Sequence, residues 1–206
     1  MARRPKQTDL MGLEAFALLQ HGYFHRRDAH AYGLSDAMLS YHTKTGRFER
    51  CLPAVYRLSI APLDVDDNYV QAWVWTGYRG ALSHETALEI YDLSDVAPPW
   101  LHLTLPPGSE PTSVPPTFRV HIAPLPPDEF RNYASIRLTT PARSIVDAAV
   151  AGTEPNQIIA AVWQAVDRHL ATAATLQELA ARDQRTVHQR YVRRLIEEAL
   201  ADYHAA

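Results

Sequence analysis

Cysteine is almost missing from this sequence. Cys51 stands alone, which excludes an internal disulfide and any zinc site built from cysteine pairs. Long apolar runs are missing as well: no stretch approaches the ~20 residues that span a bilayer. The basic start, MARRPKQTD, has no signal-type apolar core behind it. A cytoplasmic location without membrane attachment is therefore expected. Histidine is plentiful, at ten residues, yet it forms no HExxH or other metal-ligand spacing, so neither a metal nor another cofactor is expected. Internal repeats and low-complexity tracts are also lacking.

What remains is a chain of 206 residues, 47% hydrophobic and 21% charged, enough for one large domain or two small ones. Its charge is unevenly placed. Residues 1–60 hold nine Lys/Arg against five Asp/Glu, and the rest hold eleven against eighteen, giving +4 and −7. A basic head on an acidic body suggests two parts with different partners. The stretch APLDVDDN separates them near Ser59 to Asn68, giving expected domains at 1–60 and 69–206. Ten of the fifteen prolines lie between Pro98 and Pro127, flanking LHLTL (101–105) and FRVHIA (118–123). That pattern predicts short strands joined by stiff connections. After Thr140 the chain reads as helical. Thr140–Pro141 supplies an N-cap with proline at the first helical position, and Thr175 with Glu178 fits a capping box. Residues 186–203 place Val192, Leu195, Ile196 and Leu200 at helical spacing.

The head carries the clearest local signals. A first helix is expected over Thr8 to Gln20, with Met11, Ala15, Leu18 and Leu19 inward and Gly22 ending it. A second runs from Arg26 to Tyr32 with His25 as a weak cap. Gly33 supplies the left-handed turn residue, and Ser35 caps a third helix from Asp36 to about Thr43. Ala29 is small where the helices cross, and Leu34 and Leu39 face inward. Ser35, Asp36, Ala37, Ser40, Tyr41 and Lys44 then face outward, on a helix that a DNA major groove is wide enough to take. GRFERCLPAVYRL follows as two strands around Leu52-Pro53-Ala54, with Arg47, Arg50 and Arg57 placed to meet phosphates. His42 is expected to pack against this hairpin, and Tyr41 is open between a base contact and a core edge.

Helix, helix-turn-helix and hairpin make a winged helix-turn-helix, and the expected class is α+β: this domain, then a mixed α/β domain with a helical C-terminal region. Arg26, Arg27, Ser35, Asp36, Ser40, Tyr41, Lys44, Arg47 and Arg50 form the candidate DNA-binding set. Winged helices also dock proteins, which keeps a non-DNA reading open. An enzyme is not expected. Ser83-His84-Glu85 invites a catalytic serine, but neighbours on a helix do not face one another. Ser83 reads instead as an N-cap, and His84 as a packing or hydrogen-bonding residue. Arg143 and Asp147 have ion-pair spacing on one helix. No acidic-x-Lys nuclease core is present.

The chain resembles the AbiE-type antitoxins of type IV toxin–antitoxin systems. The resemblance runs through FHRRDAHAYGLSDAMLSYHTKTGRFERCLPAVYRL, GALSHETALEIYDLSD (80–95) and RLTTPARSIVDAA (137–149), and covers about residues 10–170. It implies a protein that binds inverted repeats in its own promoter, as a homodimer on DNA, and represses the operon. It also implies a partner toxin of nucleotidyltransferase fold, counteracted directly or indirectly. The chain departs from the family at His25, where threonine is common, and at Cys51 to Ala54, where the wing tip is usually more basic or glycine-containing. That weakens minor-groove contact by the wing and leaves the helix contacts intact. The alternative is a stand-alone winged-helix transcriptional regulator without a toxin. For an antitoxin, the carboxylates Glu178, Asp183, Glu197, Glu198 and Asp202 form a candidate surface toward an electropositive toxin cleft.

Overall fold

Asp9 starts the first helix, α1 (Leu10–Leu18), its carboxylate accepting the Gly12 N–H at 2.8 Å. The structure, a computed structural model, describes residues 8–182 and 186–205; Asp183 lies outside the described residues. The inward face of α1 is the reverse of the expected one. Leu13 and Ala17 are fully buried, with Leu10 and Phe16 beside them. Met11, Ala15, Leu18 and Leu19 are exposed, Met11 by 82%. The cause is composition: LMGLEAFAL is apolar around nearly its whole circumference, so periodicity alone cannot choose a face.

Gly22 ends this segment at φ +86°, and a Cβ there would lie 2.4 Å from that of Ala61. Tyr23–His25 then forms a strand, β1, between the first two helices. Helices α2 (Arg26–Ala31) and α3 (Asp36–Lys44) flank Gly33 at φ +83°. The Leu34 N–H reaches back to the Ala29 carbonyl at 2.9 Å, closing the turn. Strands β2 (Phe48–Leu52) and β3 (Val55–Leu58) complete an antiparallel sheet of order β1-β3-β2. The core beneath it contains Phe24, Ala29, Leu34, Leu39, Phe48 and Leu58. Phe24 and Phe48 meet edge to face at 5.1 Å. Each buried Leu or Phe contributes about 1.5–3 kcal/mol relative to exposure. This is a winged helix-turn-helix.

Helix α4 (Asp67–Trp75) packs on β1 and β3. Arg57 of β3 is only 3% exposed. Its guanidinium donates to the carbonyls of Ala61 and Pro62 at 2.6 and 2.7 Å and lies 3.7 Å from Asp67. It holds the chain leaving the wing and is not available to a phosphate, as its place on the hairpin had suggested.

The chain divides into two compact units: the first extends through Gly80 and includes Ala134–Ile136, and the second holds the remainder. The composition change near residues 59–68 precedes this division because α4 belongs to the winged-helix unit. With the division at Gly80, the first unit has ten Lys/Arg against eight Asp/Glu and the second ten against fifteen. The contrast narrows to +2 and −5.

The second unit begins with β4 (Ala81–Leu82) and α5 (His84–Ile90). Strands β5 (Leu101–Leu105), β6 (Phe118–Ile122), β7 (Phe130–Tyr133) and β8 (Ile136–Thr139) follow. The five-stranded sheet has the order β6-β5-β4-β8-β7. Parallel pairing of β5 with β6 accounts for the proline-rich connection between them, since parallel neighbours need a dozen or more intervening residues. Helices α6 (Pro141–Ala151), α7 (Pro155–Asp167), α8 (Ala173–Ala181) and α9 (Val187–Ala205) complete the α+β chain. Thr140 sits at the α6 N-cap without a side-chain bond. The cap of α8 is Thr172, accepting the Thr175 N–H at 3.1 Å, so the expected box at Thr175 and Glu178 does not form. Val192, Leu195, Ile196 and Leu200 of α9 are buried. No helix among the described residues is long and apolar enough to cross a membrane.

Candidate nucleic-acid interface

Helix α3 owes its start to Ser35, which is extended at φ −83° and ψ 166° and accepts the Met38 N–H at 3.3 Å. One face is anchored by Leu39, 1% exposed. The opposite face presents Ser35, Asp36, Ala37, Ser40, Tyr41 and Lys44 to solvent. Tyr41 is 62% exposed and so is not a core edge. His42 instead lies against Phe48 at 5.1 Å, where burial lowers its pKa.

The charges around this face are mostly partnered. Arg26, opening α2, donates through Nε to Asp36 Oδ1 at 2.7 Å, and His30 reaches the same oxygen at 2.8 Å. These bonds, that of Arg26 foremost, hold the Asp36 carboxyl down at about 2. They tie both ends of α2 to the first turn of α3. Arg27 lies over the Tyr78 ring at 4.5 Å, and Arg47 donates to Glu14 at 2.6 Å. Lys44 and Arg50 are exposed and make no ion pair among the described residues. The partnered arginines are about half exposed, so exchanging a carboxylate for a phosphate costs them little.

His25 caps α2 more fully than expected. Its Nδ1 accepts the Arg27 N–H at 3.1 Å, and its own N–H donates to Asp28 at 2.9 Å. Tyr78 donates to the same Asp28 carboxylate.

In the second unit, Ser83 occupies the α5 N-cap position but makes no capping bond. Its Oγ lies 2.8 Å from His84 Nδ1, contrary to the expectation that these neighbours cannot face each other. The reason is local: His84 has φ +53°, which folds its ring back over the extended Ser83. Ser83 is completely buried and accepts the Thr104 hydroxyl at 2.8 Å. Arg143 pairs with Asp147 at 2.7 Å and also with Glu129, which Arg182 approaches from its other oxygen. The TTPAR stretch is thus structural: Thr139 and Ser144 share a hydroxyl contact at 2.7 Å, and Arg143 centres a largely buried charge network. Sequence spacing missed one further grouping, of His84, His102 and His121. Their sole signal was a histidine inside each of LHLTL and FRVHI.

The exposed, capped helix α3 over a closed core, with a three-stranded sheet beside it, gives this unit the architecture of the winged helix-turn-helix class. Residues 13–59 match the family described as "Transcriptional regulator, AbiEi antitoxin". The match covers 47 of the 206 residues, all within the winged-helix unit. In fold it is similar to the Rv2827c protein from Mycobacterium tuberculosis, with a TM-score of 0.59 and 12% identity, over 95% of this chain and 82% of that one. No curated protein matches the chain in sequence.

Proposed function

We propose that this protein is a DNA-binding antitoxin that represses its own operon and counteracts a nucleotidyltransferase toxin encoded beside it. The observation that carries the reading is the coincidence of the family match, residues 13–59, with the exposed outer face of α3. Helix α3 enters the major groove of an inverted repeat in the promoter. Ser40 and Tyr41 meet base edges, where discrimination resides. Lys44, Arg47 and Arg50 meet phosphates, and Ser35 holds the helix start in register. Two copies of the chain occupy the two half-sites. Arg26 pairs with Asp36, so the carboxylate in the first turn of α3 repels the DNA backbone less.

Binding of the protein to its upstream promoter, followed by fluorescence anisotropy at physiological salt, tests this. Replacing Lys44, Arg47 and Arg50 together by alanine is expected to weaken binding at least tenfold with an unchanged circular dichroism spectrum. Ser40→Ala and Tyr41→Ala are expected to change sequence preference, not affinity for random DNA. Absence of promoter binding would assign the winged helix to protein docking. Promoter binding without rescue from a co-expressed adjacent toxin would leave a stand-alone regulator.

A further inference from the structure

Three histidines from distant parts of the second unit meet on one side of its sheet. His84 opens α5, His102 lies on β5, and His121 on the neighbouring parallel strand β6, paired with Thr104. Each offers a ring nitrogen within 4.8 Å of the others. His102 Nδ1 and His121 Nε2 are 3.1 Å apart, sharing one hydrogen. The rings of His84 and His121 stack with centroids 3.6 Å apart. We propose that His84, His102 and His121 form a binding site for a divalent transition-metal ion of zinc type, with water completing the coordination.

The surroundings fit ligands more closely than mere packing. A metal-bound imidazole generally has its second nitrogen held by a hydroxyl, carbonyl or carboxylate that fixes the tautomer. His84 Nδ1 meets Ser83 Oγ at 2.8 Å, leaving Nε2 for the metal. The Ser83 oxygen is itself held by Thr104. His102 Nε2 faces Glu85 at 4.0 Å, longer than a direct hydrogen bond, while its Nδ1 is the nitrogen turned to His121. Glu85 is in turn anchored by the Thr153 hydroxyl at 2.7 Å. Two nitrogens bound tetrahedrally at zinc–nitrogen distances stand ~3.3 Å apart, close to the 3.1 Å between His102 and His121. His84 is stacked on His121, so its ring must turn off the stack for both to ligate one ion. Occupation needs no loss of a proton, because the hydrogen shared by His102 and His121 can move to a second ring nitrogen.

All three imidazoles are disposed to the neutral form that a metal requires. Burial is the first cause for each, taking His84 to about 2 and His121 to about 4 and lowering His102. Two arginines oppose a cation here. Arg143, which acts on His84, is offset by Glu129 and Asp147. Arg119, which acts on His102 and His121, is exposed and stacked on Trp100 at 4.0 Å, so water screens it. Three neutral donors and one adjoining carboxylate leave the balance on the side of binding. The bound ion would pin β6, at the sheet edge, to β5 and the start of α5.

The test uses the full-length chain without a histidine tag, stripped by chelator and titrated with Zn2+ by calorimetry. Co2+ serves as a second probe, for its visible absorbance on imidazole ligation. One equivalent is expected to bind, with a raised melting temperature. His121→Gln, at a half-buried position, is expected to weaken binding at least tenfold. Glu85→Gln, which leaves all three ligands in place, is expected to weaken it roughly 10- to 100-fold. His188→Gln on α9 should change nothing. No binding heat and no melting shift at zinc on the order of 100 μM, far above what a structural site needs, would overturn the site. Binding that survives both His121→Gln and Glu85→Gln would overturn it equally, placing the metal elsewhere.

Discussion

His25 caps α2 with a ring nitrogen where the resembling family commonly has threonine, and that choice makes the helix start sensitive to protons. Nδ1 accepts the Arg27 N–H only while unprotonated. Burial, partly opposed by Asp28, lowers the pKa of His25 below its ordinary 6.5. The unfolded chain therefore takes up the proton first as pH falls. The cap's contribution is complete above about 6.5 and is lost progressively below it. Thermal melts of wild type and His25→Thr at pH 8, 6.5 and 5 should show a shallower acid loss in the variant, with equal stability at pH 8. His25→Ala should cost about 1 kcal/mol at pH 8, as removal of an N-cap does.

Residue-scale electrostatics also separate the three cations of the proposed DNA face. Lys44 and Arg50 are unpaired among the described residues, whereas Arg47 already has Glu14 at 2.6 Å. Lys44→Ala or Arg50→Ala should each reduce the salt slope of promoter binding by about 1. Arg47→Ala should reduce it by less, and Glu14→Gln should tighten binding by freeing Arg47. Anisotropy titrations from low to physiological salt distinguish these outcomes; equal effects of all three alanines would show that Glu14 does not compete.

At the scale of elements, α1 shows where sequence reading succeeds and where it stops. A helix was legible; its inward face was not, because apolar residues occupy nearly every side. Only the closure of Leu13 and Ala17 against Phe24, Leu39 and Phe48 decides it. Leu13→Ala should therefore destabilise by about 2–5 kcal/mol, while Leu19→Ala or Met11→Ala should stay within about 0.5, as chemical denaturation can measure. The α3 cap and its outward face were legible because Ser35, Gly33 and Leu39 are local signals. Strand β1 was not, since three residues, Tyr23 to His25, owe their extension to pairing with β3. The histidine grouping depends wholly on β5 and β6 lying side by side, which no local spacing encodes.

Across the whole molecule, the division at Gly80 changes how the two proposed activities should be separated. A cut at residue 60 strips α4 from β1 and β3 and uncovers Arg57 with its partner Asp67. The winged helix should be tested as residues 1–80 and the remainder as 81–206. If repression and antitoxicity reside in different units, 1–80 binds promoter DNA and a soluble 81–206 rescues cells from the toxin. Rescue by 1–80 alone would reverse the assignment. The proposed encounter with a toxin follows from the surface charge. Of the carboxylates first singled out, Glu197 and Glu198 are paired with Arg193 and Arg194 at 2.8 and 2.7 Å, and Glu178 lies 3.8 Å from Arg182. The exposed side of α9 is thus mixed in sign, and its field fades within a Debye length of about 8 Å at physiological salt. Long-range steering by this helix should be weak, although the second unit is net acidic. Surface plasmon resonance with purified toxin should show an on-rate that changes by less than about tenfold between low and physiological salt, against the larger falls of steered association. Exchanging the charges of one pair, as Arg193→Glu with Glu197→Arg, preserves net charge and the i,i+4 contact and should leave that rate unchanged. A steep fall with salt together with a slower rate in the exchanged variant would restore an acidic α9 face as the docking surface.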